Sequence, residues 1–268
     1  MSVKIAIAGG AGRMGITLLQ ETLAHPNTEL TAFSVREDDI PHSLSRIQRA
    51  GLAGIDDLAV SRDENLLADA QAVIDFTTPT YSLRLAQSCA EQGIAFICGT
   101  TGFSAEQHAQ LAALAKQTPI VWAPNMSLGV NLLSHLVEKA AAALDDSFDI
   151  EIFEMHHRFK QDAPSGTALA LGEAAAKGRD VALKEKAVHT REGHTGVREE
   201  GTIGFSVARG GDVIGDHTVM LAGDGERIEL THKASNRHIY ARGAVKAALW
   251  AQGKPPALYS MQDVLGLA

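Results

Sequence analysis

The chain has 268 residues, 45% of them hydrophobic and 21% charged, with a formal net charge of -8. That length can bury the core of one large domain or two modest ones. The acidic balance weighs against a general nucleic-acid binder or a partner of anionic membrane surfaces. Cys89 and Cys98 have neither metal-ligand spacing nor a disulfide framework, and the first residues show neither a signal-peptide layout nor a long apolar span, so a cytoplasmic protein is expected.

Val3-Lys4-Ile5-Ala6-Ile7-Ala8 reads as a strand, and Ile16 to Leu23 as a helix. Between them lies Gly9-Gly10-Ala11-Gly12-Arg13-Met14-Gly15, in which Gly10, Gly12 and Gly15 satisfy G-x-G-x-x-G. In that setting the pattern is a dinucleotide fingerprint: glycines permit a tight turn and close approach of backbone N–H to a pyrophosphate, with a helix dipole behind. The next strand, Glu29 to Val35, runs into Arg36. An NAD-preferring site places an acid about 20 residues past the fingerprint; Ser34-Val35-Arg36 offers a guanidinium suited to a ribose 2′-phosphate. NADPH is therefore favoured, with NADH possible, and Arg13 can add to the phosphate field.

Residues 41 to 57 read as a long loop with some helix. Strands are expected at Gln71–Phe76, Ile94–Cys98 and Pro119–Ala123, and helices at Tyr81–Gln92 and Ser104–Lys116. This alternation means βαβ units and a parallel sheet. The strands end in Phe76-Thr77, Gly99-Thr100-Thr101 and Ala123-Pro124-Asn125, and such sheets bind ligands at their carboxyl ends. A helix from Ser127 to about Leu144 is expected to carry an apolar stripe through Leu132, Leu133, Leu136, Val137, Ala140 and Leu144.

Asp149 to Glu154 alternates as a strand, and Asp162 to Leu171 reads as a turn opening a helix. Between them come His156, His157, Arg158 and Lys160, a cationic cluster in an acidic chain. Ahead of a helix N-terminus, such a cluster suits a carboxylate or phosphate ligand, and a histidine there can deliver a proton. Of Glu154, His156 and His157, only Glu154 and His156 share a strand face and a third ligand in register is missing, so no metal is expected. Strands at Thr202–Arg209, Gly215–Ala222 and Glu226–Lys233 suggest a mixed sheet, followed by a helix from Asn236 to Trp250. The fold class is thus α/β, with a Rossmann-type parallel-sheet nucleotide domain over residues 1–127, onto which residues 237–268 pack back. Residues 128–236 form an α+β mixed-sheet domain for substrate and oligomerisation. The connecting stretches 124–129 and 234–237 are expected to act as hinges.

Glu154 to Leu169 resembles the E-x-H-H-x-x-K-x-D-x-P-S-G-T-A pattern of the 4-hydroxy-tetrahydrodipicolinate (dihydrodipicolinate) reductase family, and Gly9 to Gly15 resembles its G-x-x-G-R-M-G fingerprint. Gly99-Thr100-Thr101-Gly102, Ala123-Pro124-Asn125-Met126-Ser127 and Gly201 to Phe205 also look like family motifs. Many members carry an acid where this chain has Val35. The resemblance implies hydride transfer from NAD(P)H to a cyclic imine dicarboxylate, loss of water, a role in diaminopimelate and lysine biosynthesis, and a homotetramer. It makes His156 and Lys160 the catalytic pair. His157, Gly166 and Thr167 become ligands of the substrate carboxylates, with Arg237 a further candidate. Lys160 could instead hold a carboxylate, so the donor stays open between the two. Two other readings share the fingerprint: a dehydrogenase of another keto- or imino-acid, and a non-enzymatic NADP(H) sensor.

Overall fold

The computed structural model describes residues 2–267. In chain order the elements are β1 (Val3–Ala8), α1 (Arg13–Ala24), β2 (Thr28–Ser34), α2 (Ile40–Arg49), β3 (Ala59–Val60), α3 (Asp63–Leu67), β4 (Ala72–Asp75) and α4 (Pro79–Gln92). Next come β5 (Ala95–Cys98), α5 (Ala105–Leu114), β6 (Ile120–Trp122), α6 (Leu128–Ala143), β7 (Asp149–His156), α7 (Gly166–Gly178), α8 (Leu183–Lys186) and β8 (Ala187–Val188). The chain continues through β9 (Ile203–Arg209), β10 (Gly215–Gly223), β11 (Glu226–Ala234), α9 (His238–Trp250), β12 (Leu258–Tyr259) and α10 (Met261–Leu265). They form two compact units, residues 1–128 with 237–268, and residues 129–236.

The first unit holds a parallel sheet in the order β12-β6-β5-β4-β1-β2-β3. Its central strands are buried on both faces, which is why Ile5 to Ala8 of β1, Ala72 to Ile74 of β4 and all of β5 read as continuous apolar runs. Ile5, Ile7, Ile74 and Ile97 pack with Leu18 and Leu19 of α1, Ile47 of α2 and Ala244 and Ala248 of α9. Ala6, Val73 and Phe96, one residue out of phase, pack on the opposite face with Leu66 of α3, Leu85 and Cys89 of α4 and Leu111 of α5. β1 pairs with β2 on one side and β4 on the other. The strand order therefore reverses between β1 and β4, which opens a crevice at their carboxyl ends.

Two expectations change here. The helix expected somewhere within the loop of residues 41–57 is α2, ten residues from Ile40 to Arg49 with Pro41 in its first turn, so it takes up the first half of that stretch. Only Ser43 and Ile47 of it are buried, so its apolar signal is too sparse to set its bounds from the pattern. On α6 the buried stripe is Val130, Leu133, Val137 and Ala141; Leu132 and Leu136 stand 43% and 44% exposed. A turn of 100° per residue carries those two leucines off the inward face.

The second unit is a mixed sheet in the order β11-β10-β7-β9-β8. β7 lies antiparallel to β10 and parallel to β9, with Ile152 opposite both Val219 and Phe205. Ile150, Ile152, Val219 and Leu221 pack under Leu171 and Ala175 of α7 and Leu133 and Val137 of α6. β7 continues past Glu154 to His156, because pairing with β9 persists to Arg209. By the two-residue period of a strand, Glu154 and His156 face the same side as Ile150 and Ile152 and are buried with them.

Candidate active site

The candidate cofactor residues of the first unit lie in loops at the carboxyl ends of its parallel strands. After β1, Gly9 adopts φ +68, a left-handed conformation that favours glycine. Gly9 N–H donates to the Ser34 hydroxyl and Gly10 N–H to the Ser34 carbonyl, both at 2.9 Å, so the end of β2 braces the turn. A Cβ on Gly15 would collide with the Gly9 carbonyl oxygen, so only glycine lets α1 start this close to the turn. The result is a cradle of backbone at a helix N-terminus, which fits a pyrophosphate. A cavity of about 680 Å³ runs from Gly9, Ala11 and Gly12 past Ser34, Val35 and Arg36 to Phe76 and Thr77. That volume suits a dinucleotide's adenosine half. Arg13 and Met14 form the first turn of α1.

Gly99, Thr100 and Thr101 follow β5, and Ala123, Pro124, Asn125 and Met126 follow β6. Met126 and Thr100 are buried, so their side chains shape these loops from within. Asp75, at the end of β4, is the hub the motifs did not reveal. Its carboxyl accepts hydrogen bonds from Thr77 Oγ1 at 2.6 Å, from Thr100 Oγ1 at 3.0 Å and from Ser82 Oγ. The Thr77 N–H in turn donates to Thr100 Oγ1 at 2.9 Å. Burial pushes the Asp75 carboxyl above its ordinary range, while these hydroxyls act in the opposite sense. Asp75 thereby ties the loops after β4 and β5 together.

In the second unit, Glu154 organises the cationic stretch. Its Oε2 lies 2.5 Å from His156 Nδ1, its Oε1 accepts the Ser165 N–H at 3.0 Å, and Arg209 donates to both oxygens at 2.9 and 3.1 Å. Burial works to raise the Glu154 carboxyl, but the bonds from Arg209, His156 and Ser165 leave it below its usual value. An ionised carboxylate only accepts, so His156 donates from Nδ1 and turns Nε2 toward Gly215. A Cβ on Gly215 would come within 2.9 Å of Nε2; glycine keeps that space open.

Ser165 caps α7, accepting the Ala168 N–H at 3.1 Å, and its hydroxyl lies 3.0 Å from His217 Nε2. With one lone pair of Oγ taken by Ala168, the hydroxyl still holds a proton and a second lone pair, so the His217 tautomer sets which of the two groups donates. His217 is buried with its ring 5.0 Å from that of His156. Burial, reinforced by repulsion from His156, lowers His217 to about 4. Gly166 and Thr167 form the first turn of α7, where backbone N–H groups point away from the helix. Lys160 reaches Asp162 at 2.9 and 3.0 Å, a bond that lowers the Asp162 carboxyl. His157 N–H donates to the Val213 carbonyl at 2.7 Å and Lys160 N–H to the His157 carbonyl at 3.1 Å, which curl the segment back toward α7. His156, His157, Lys160, Gly166 and Thr167 thus belong to one unit, whereas Arg237 precedes α9 in the other. Arg209 and His217, some 55 and 63 positions beyond Glu154, escaped the sequence patterns; the alternation in β9 and β10 signals their strands but not their partners.

The His217 shift sets a pH dependence of stability. Its unfolded imidazole binds protons from about pH 6.5 and its folded one only near 4. The contribution is thus present above pH 6.5 and lost as pH falls toward 4, by about 3 kcal/mol. Melting curves from pH 7 to pH 4 should show this loss, and His217→Asn should flatten it. Equal slopes for both proteins would contradict the assignment.

Two family models match the chain: dihydrodipicolinate reductase, N-terminus, over residues 3–126, and dihydrodipicolinate reductase, C-terminus, over residues 129–265. The chain is 53% identical over 266 residues to 4-hydroxy-tetrahydrodipicolinate reductase 1 of Mesorhizobium japonicum, covering 98% of this chain and 97% of that one. It is 52% identical to the 4-hydroxy-tetrahydrodipicolinate reductase of Beijerinckia indica, with coverage of 99% and 98%. Among solved structures, dipicolinate-bound dihydrodipicolinate reductase from Paenisporosarcina superposes with a TM-score of 0.78 at 26% identity, over 98% of this chain and 99% of that one. A myo-inositol dehydrogenase from Lactobacillus casei, at 12% identity and a TM-score of 0.59 over 98% and 91% of the two chains, shares the fold alone.

Proposed function

The chain belongs to the dihydrodipicolinate reductase family, and from that premise we propose that it reduces 4-hydroxy-tetrahydrodipicolinate to tetrahydrodipicolinate with NAD(P)H, on the diaminopimelate route to lysine. The observation that carries the reading to the residues is the Glu154-held His156, set in one unit with Lys160 and the first turn of α7. The family match disfavours both the other-dehydrogenase reading and the non-enzymatic sensor. No helix among the described residues is long and apolar enough to cross a membrane; a biosynthetic role supports the cytoplasm as the site of action.

When bound, NAD(P)H supplies the hydride. Gly9 to Gly12 hold the pyrophosphate, and the loops at Phe76-Thr77, Gly99 to Thr101 and Ala123 to Met126 line the remainder of the cofactor site. The dicarboxylate takes His157, the N–H groups of Gly166 and Thr167, and Lys160. Loss of the 4-hydroxyl as water gives a conjugated imine, and hydride addition to that imine leaves negative charge on the substrate that a proton must quench. His156 is the donor in this scheme, because Glu154 fixes Nδ1 and stabilises the imidazolium, so Nε2 can release its proton. Lys160 leaves Asp162 for a substrate carboxylate, exchanging one anion for another.

NADPH is the preferred cofactor. Arg36 stands just past β2, 77% exposed along its side chain and only loosely held by Asp39 at 3.5 Å. Arg36→Ala should weaken NADPH by about tenfold and NADH by much less, since a charge-assisted pair contributes about 1.5–3 kcal/mol. Titrating both cofactors checks this; equal weakening would point to adenine stacking.

The enzyme assembles as a homotetramer through the sheet of the second unit. Phe153 is 42% exposed on the sheet face opposite Ile152, where an apolar side chain on open sheet favours burial against another copy. Phe153→Asp should reduce the mass in solution at micromolar concentration, read by light scattering; an unchanged mass would place the interface elsewhere.

A further inference from the structure

The helix α2 brings a second arginine into the cofactor cavity. Asp39, Ser43 and Arg46 lie about one helical turn apart, on one face of that helix. All three line the cavity that also holds Arg36 and the glycine turn. Asp39 ties them together: its Oδ2 lies 2.8 Å from Arg46 Nη2, 3.5 Å from Arg36 Nη2 and 3.4 Å from Ser43 Oγ. His42 lies 3.6 Å from its other oxygen. Asp38 also approaches Arg36, at 3.9 Å, but its side chain is 81% exposed against 20% for Asp39. One carboxylate thus sits between two guanidinium groups at the end of β2, where the third phosphate of NADPH is expected.

We propose that Arg46 is the second arm of the 2′-phosphate site, opposite Arg36, and that Asp39 is its internal counter-ion, which gives way when the phosphate arrives. Asp39 holds the two arms at one place while no phosphate is bound. A phosphate dianion offers each guanidinium a stronger, bidentate partner than one shared carboxylate. A ribose hydroxyl offers neither the charge nor the oxygens, so NADH leaves the Asp39 contacts as they stand. Discrimination therefore rests on two arginines and on one acid that repels what they attract. Ser43, buried at the foot of this face, can add a hydroxyl donor to the same phosphate.

The inference rests on the NAD(P)H-dependent reading, so its test is binding to the full-length protein. Dissociation constants of NADPH, NADH, 2′-AMP and 5′-AMP are measured by calorimetry for the unaltered chain, Arg46→Gln, Arg46→Lys and Asp39→Asn. Arg46→Gln should weaken NADPH and 2′-AMP about tenfold or more and shift NADH and 5′-AMP by less than about twofold, with Arg46→Lys in between. Asp39→Asn should tighten NADPH about threefold, because one negative charge beside the phosphate is gone. If Arg46→Gln moves all four ligands alike, or none of them, Arg46 is not an arm of the site. If Asp39→Asn loosens NADPH, Asp39 is a scaffold and not a competitor. If the unaltered chain binds neither nicotinamide cofactor, the reductase reading falls and takes this inference with it.

Discussion

Replacing His156 with glutamine should lower kcat by about 10²–10⁴-fold and leave NADPH affinity nearly unchanged. Glutamine keeps a side-chain N–H donor of similar reach but cannot carry and release a proton. The cofactor cradle at Gly9 to Gly12 belongs to the first unit and His156 to the second, so the loss falls on chemistry. Glu154→Gln should reproduce part of the loss with the imidazole still present, because Glu154 positions His156 through the 2.5 Å contact to Nδ1 and supplies its counter-charge. Glutamine at 154 also strands Arg209, so a circular-dichroism melt must accompany the kinetics. Stopped-flow turnover and a cofactor titration decide the matter. If cofactor affinity collapses while turnover per bound cofactor holds, His156 has been given the wrong role.

Lys160→Ala should damage both constants: kcat falls and KM for the dicarboxylate rises, each by about tenfold or more. An ammonium beside a dianion binds the ground state and also stabilises charge that develops as the hydride arrives. The Lys160 ammonium pairs with Asp162, whose side chain is 65% exposed, so the bond is easily exchanged for a substrate carboxylate. Initial-rate kinetics over both substrates separate the effects. A rise in KM alone would reduce Lys160 to a group that positions substrate.

What could be read from the chain was whatever is local. The continuous apolar runs of β1, β4 and β5 announce a buried parallel sheet, and Gly10-x-Gly12-x-x-Gly15 announces the turn, because each pattern records one backbone requirement. His156, Lys160 and Pro164 to Thr167 lie within one window, so their juxtaposition needed only a strand, a turn and a helix start. Arg209 and His217 needed the register of β9 and β10 against β7, and nothing in their own neighbourhoods names Glu154 or Ser165 as partners. Asp75 was hidden for a different reason. It lies inside the expected strand Gln71–Phe76, and nothing in that run names the hydroxyls of Thr77, Ser82 and Thr100 that let it be buried completely. The bounds of α2 and the place of Arg46 were not legible, because only Ser43 and Ile47 of the helix are buried, too few to form a periodic stripe. The α6 stripe erred in the other direction: Leu132 and Leu136 are apolar but lie off the inward face.

The reductase reading is tested most directly by NADPH oxidation with its own substrate. The purified chain is mixed with the condensation product of aspartate-semialdehyde and pyruvate, and absorbance of the reduced nicotinamide is followed at saturating concentrations. The account predicts steady loss of absorbance with formation of tetrahydrodipicolinate, and its near abolition by His156→Gln. Unchanged absorbance with a folded, NADPH-binding protein would contradict it.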